Sequence, residues 1–128
     1  MTQMTRDDAA SVINVVCWKL KIAPAKLHWE TKGNRAKNGL YQPLDKTIFV
    51  GPHTWRGLDC LLHEIAHHVV KMKFGVACPL RNFNRAQHGR EFQLMLLAVV
   101  KTWYGNPDLY SWKTEYKRIG QFGSKQKG

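Results

Sequence analysis

The stretch from about Trp55 to Phe74 constrains this chain most, because it is apolar on two sides of one helix. At about 100° per residue, Leu58, Leu61, Leu62, Ile65, Val69 and Met72 share one face. Cys60, Val70 and Phe74 fall nearer the opposite side. A helix that is apolar on two sides is stable when other layers cover both. The remainder of the chain must therefore supply a sandwich. Thr54 is placed to cap the start of this helix and Gly75 to stop it.

His63 and His67 project from the second side, one helical turn apart, with Glu64 beside them. HExxH on a helix is a known zinc-binding arrangement. The pentapeptide also occurs by chance in helices without metal. Here a well-formed helix, a third histidine heading the next helix and a preceding sheet add weight. A hydrolytic zinc site takes three protein ligands at about 2.0–2.2 Å and keeps one position open. His63 and His67 supply two. Glu64 is rotated about 100° from His63, so it is poorly placed to bind the same ion. It can instead accept a proton from water that the metal activates.

The third ligand must come from elsewhere, and His88 and Glu91 are the candidates. His88 is preferred, since Phe92, Met95, Val99 and Trp103 continue a stripe that would aim it inward. Glu91 stays open as a glutamate ligand. One Zn2+ per chain is the expected cofactor. Asp59 could accept the distal N–H of His63, but complementing the helix dipole is its more ordinary role. His68 points about 100° away and reads as a bystander. His28 and His53 read as surface residues, and Cys60 as a small buried hydrophobe. Cys78 stands alone between the two histidine segments. Arg90, Tyr104, Tyr110 and Tyr116 rank equally as donors to a developing oxyanion.

Around this centre the pattern is α+β. Thr5 to Leu20 reads as a helix with an apolar stripe through Ala9, Val12, Ile13, Val16, Cys17 and Leu20. Thr5 with Asp8 can form a capping box, and Pro24 marks the exit. Lys26–Thr31 alternates like a half-buried strand. Leu40–Gln42 and Thr47–Val50 read as two more, giving a small, mostly antiparallel three-stranded sheet. Between them Lys32–Gly39 reads as a basic loop, and 75–86 as a second loop. The last helix runs from Asn84 or Gln87 to Tyr104, ending at Gly105-Asn106-Pro107.

A chain of 128 residues suits one domain, 1–112, followed by a basic and partly disordered tail, 113–128. Three cysteines cannot all pair, so a disulfide framework is not expected. Met1–Asp8 is polar, unlike a signal peptide, and no apolar run approaches the roughly 20 residues of a membrane span. The expectation is a soluble, cytoplasmic monomer. The net charge of +11 favours polyanions such as DNA, through Lys32, Arg35 and Lys37 in the loop and Lys117 and Arg118 in the tail. The plainer alternative is a charge spread over the surface for solubility.

His63-Glu64-Ile65-Ala66-His67 followed by His88-Gly89-Arg90-Glu91-Phe92 resembles the HExxH and HGxxF pair of the SprT-like metallopeptidases, the family that includes Spartan. The order of helix, short sheet, HExxH helix and HGxxF helix fits residues 5–104. The resemblance implies a zincin-like fold, zinc on His63, His67 and His88, and Glu64 as general base. It also implies a protein or peptide substrate, extended along a strand edge within 40–50. Many members carry a cysteine-rich zinc ribbon after this core, and this sequence has none. Two other functions fit the same residues: a metal-dependent hydrolase of a non-peptide amide, and a nucleic-acid-binding module whose zinc is structural.

Overall fold

The computed structural model describes residues 3–75, 88–113 and 115. Among them are four α-helices and one three-stranded mixed sheet, an α+β arrangement. Helix α1, Arg6–Lys19, opens with the capping box that its sequence predicts. Thr5 Oγ1 accepts from the Asp8 N–H at 3.1 Å, and Asp8 reaches back to the Thr5 N–H. Its stripe of Ala9, Val12, Ile13, Val16 and Cys17 is buried.

Strand β1, Lys26–Trp29, is followed by a short helix α2, Asn34–Asn38, inside the segment expected to be a loop. Gly33 and Gly39, at φ 92° and 73°, bracket this helix in backbone conformations that favour glycine. Strands β2, Leu40–Gln42, and β3, Thr47–Val50, complete the sheet. The pairing corrects the expected mostly antiparallel sheet. Its order is β1-β3-β2, with β1 parallel to β3 and β2 antiparallel to β3. The stretch containing α2 and β2 is long enough to serve as the crossover that parallel pairing needs. Ile48 and Val50 of β3, both fully buried, make the central strand the core-facing one. Gly51 extends that strand past Glu30, whose carbonyl would overlap any Cβ placed there.

Helix α3, Leu58–Phe74, starts three residues later than its apolar pattern suggests. Arg56 and Gly57 adopt φ values of 66° and 51°, which interrupt the helix before Leu58. Thr54 therefore does not cap it. Its hydroxyl accepts from the Gly51 N–H at 2.7 Å and donates to the Ala36 carbonyl. At the other end Gly75 takes the left-handed conformation and closes the helix, as its position predicts.

Helix α4, Arg90–Tyr104, packs along α3 and buries Phe92, Leu96, Val99 and Val100. Each such side chain contributes roughly 1.5–3 kcal/mol of apolar burial. Met95 and Trp103, expected on the inward stripe, are only partly buried. With α1 and the sheet also packed against it, α3 is buried on nearly every side from Asp59 to Val70. The two-sided pattern of this helix thus has its physical explanation. No described helix is long and apolar enough to cross a membrane.

Candidate metal centre

His63 and His67 lie on consecutive turns of α3, and His88 meets them from the turn just ahead of α4. His88 is therefore outside the helix it was expected to head. Gly89 is the N-cap, its carbonyl accepts from the Gln93 N–H at 2.9 Å, and the Gln93 amide donates to the His88 carbonyl at 3.3 Å. That local staple holds His88 over α3. Residues 84–87, the expected start of this helix, and Cys78 lie outside the described residues.

The His88 Nε2 is 3.2 Å from both the His63 Nε2 and the His67 Nε2. The ligand atoms of the three rings all lie within 4.8 Å of one another. Nitrogens bound tetrahedrally at about 2.0–2.1 Å from one zinc ion would stand roughly 3.3–3.4 Å apart, so the spacing fits a common ion. Mutual hydrogen bonding fits less well, since one N–H cannot serve two partners along good lines. Phe92 closes the apolar side, its ring 4.8, 4.4 and 4.9 Å from those of His63, His67 and His88. Glu91 is not part of this group. Its Oε1 is buried and has no hydrogen-bond partner among the described residues.

Glu64 is buried on α3. Its Oε2 would be 3.4 Å from a Cβ on Gly39, so the carboxylate lies against the residue leading into β2. Of the two strands within 40–50, β2 lies at the sheet edge and β3 is central. A strand at the sheet edge and a buried carboxylate are thereby brought close together.

Sequence reasoning missed Glu115, the one acid of the expected tail. It is fully buried, with Oε2 2.6 Å from the His63 Nδ1. Its other oxygen accepts from the Tyr110 hydroxyl at 2.5 Å and from Arg56 Nη1 at 3.1 Å. Burial alone would raise the pKa of this carboxyl. The hydrogen bond and charge of His63, with Tyr110 and Arg56, outweigh burial and bring it down to about 2. Burial likewise works against the Arg56 charge, but Tyr110 and Glu115 more than offset it. The remainder of the expected tail, 114 and 116–128, lies outside the described residues, including Tyr116, Lys117 and Arg118.

Asp59 does not bond His63. Its Oδ1 accepts from the Tyr104 hydroxyl at 2.6 Å and its Oδ2 from the Ser111 N–H at 3.0 Å. Burial, then the neighbouring carboxylates, push the phenol pKa values of Tyr104 and Tyr110 upward. Both hydroxyls donate to carboxylates, so neither is aimed at an oxyanion. Arg90 is exposed.

His68 stands outside the three-histidine group, as expected, and has a bonding role of its own. It is fully buried, with Nε2 2.8 Å from the Ala23 carbonyl and Nδ1 2.8 Å from the Tyr41 hydroxyl. A carbonyl only accepts, so Nε2 carries the proton and Tyr41 donates to Nδ1. Burial lowers the pKa of this ring. His28 and His53 are exposed, as expected, and contact Glu30 and Gln3. Lys32, Arg35 and Lys37 are exposed around α2. Arg35 is partly committed, 2.8 Å from Glu30 and stacked over the Phe49 ring.

Comparison with family models, curated proteins and solved structures returns no match for this chain.

Proposed function

We propose that this chain is a zincin-like, zinc-dependent metallopeptidase of SprT-like type, a hydrolase in which His63, His67 and His88 hold one Zn2+. Three converging imidazole nitrogens, together with a buried glutamate that directly follows His63 on its helix, carry the proposal. Zinc bound there supplies Lewis acidity, activating water and polarising a carbonyl. Glu64 accepts the proton of the attacking water and delivers it to the departing amine nitrogen. Phe92 keeps solvent from one side of the imidazoles, which limits competition for the ion. The outer edge of β2 pairs with an extended peptide and lays its backbone past Glu64. The positive charge suits proteins associated with DNA as substrates, reached in the cytoplasm by a monomer.

The deciding experiment compares wild type and Glu64→Gln for zinc content and for cleavage of casein. The expected result is equal zinc in both proteins, with cleavage by wild type alone. Equal zinc without cleavage by either favours a structural ion or a non-peptide substrate. Cleavage that survives Glu64→Gln removes Glu64 from the chemistry.

A further inference from the structure

Glu115 belongs to neither histidine motif, yet it makes the shortest side-chain contact to His63. We propose that Glu115 is a positioning residue: it fixes the proton of His63 on Nδ1 and so presents a bare Nε2 to the metal. This deepens the proposed function and rests on its three-histidine site.

The chemistry follows from what each group can do. An ionised carboxylate only accepts hydrogen bonds, so the His63 Nδ1 beside it must be the donor. A neutral imidazole with its proton on Nδ1 has its lone pair on Nε2, the atom that faces His67 and His88. The carboxylate also holds the orientation of the ring.

Two features separate this role from that of a buried ion pair alone. Arg56 contacts Oε1 while His63 contacts Oε2, so the histidine has an oxygen of its own. In addition, the segment that delivers Glu115 is stapled to the first turn of α3. Asp59 accepts from the Ser111 N–H at 3.0 Å and from the Tyr104 hydroxyl, and its carbonyl lies 3.3 Å from the Tyr110 hydroxyl. The Glu115 N–H then bonds the Ser111 carbonyl at 3.0 Å. These links set the carboxylate against a ring only one turn further along the same helix.

The test measures zinc affinity by chelator competition for wild type, Glu115→Gln and Glu115→Ala. Nitrogen-15 NMR reports the His63 tautomer in the metal-free wild type, a reading that needs no variant to fold. The expected outcomes are an Nδ1–H tautomer and a loss of roughly 10- to 100-fold in zinc affinity for Glu115→Ala, with a smaller loss for Glu115→Gln. An Nε2–H tautomer overturns the proposal. So do folded variants that bind zinc within twofold of wild type. If wild type itself binds no zinc, the three-histidine site falls first. If it binds zinc and the Glu115 variants bind equally well, only the positioning role is lost.

Discussion

Gly39 lies so close to Glu64 and Cys60 that a methyl group there would sit 3.4 Å from the Glu64 Oε2 and 2.5 Å from the Cys60 Sγ. The residue also holds φ at 73°, where a side chain is strained. Gly39→Ala is therefore expected to lower stability by about 1–3 kcal/mol, because the Cys60 Sγ must shift, while the Glu64 Oε2 stays at ordinary contact distance. In a Cys60→Ala background the same change costs less, since the nearest obstacle is gone. Urea denaturation of the four proteins measures the coupling, and strict additivity would contradict the proposed crowding.

Metal content is the most direct reading of the three histidines. His63→Ala, His67→Ala and His88→Ala should each lose most of the bound zinc, while Glu91→Ala keeps it. If zinc binds the folded chain alone, free zinc at a hundred times its Kd adds about 2.7 kcal/mol to unfolding free energy. Retention by His88→Ala with loss in Glu91→Ala would reverse the assignment of the third ligand.

Alkaline pH acts on a buried thiol and three phenols. Burial raises the pKa of the Cys17 thiol and of the Tyr41, Tyr104 and Tyr110 phenols. A raised folded value contributes stability that is complete below the unfolded pKa, about 8.5 for cysteine and about 10 for tyrosine. That stability is lost as pH rises through the folded values. Tm should stay level until about pH 8.5 and then fall, with Cys17→Ala removing the earliest part of the decline. Thermal melts followed by circular dichroism across this range provide the check, and a Tm that holds level at high pH would count against it.

The basic surface around α2 makes a separate prediction for DNA. Lys32→Ala and Lys37→Ala should each weaken a low-salt mobility shift with short duplexes. Each lost phosphate contact should reduce the salt slope by about 0.9. Arg35→Ala should do less, because its guanidinium is already engaged by Glu30 and Phe49. Lack of any shift at low salt would remove DNA as a partner of this surface.

What could be read in advance depended on how local each signal was. His63, Glu64 and His67 are neighbours on one helix, so their spacing alone orients them. The Thr5–Asp8 capping box was equally readable, because its bonds span one turn. Parallel pairing of β1 with β3 was not, since alternation marks a strand but names no partner. The helix over Asn34–Asn38 hid among loop-forming Gly and Asn residues and is only five residues long. His88 misled in a smaller way, as its apolar stripe ran back past Gly89, which caps the start of the helix instead. Glu115 carried no signal beyond being one acid in a basic stretch. Its partner His63 is 52 residues away, a relation that only tertiary packing creates.

That separation also has a consequence in time. During synthesis at about 5–20 residues per second, residue 115 follows residue 63 by roughly 3–10 seconds. Throughout this interval the emerging HExxH helix lacks the carboxylate that orients its first histidine, and Arg56 lacks its counter-charge. With Glu115 in the proposed positioning role, a chain halted before it would carry all three imidazoles yet lack the acceptor that fixes the His63 proton.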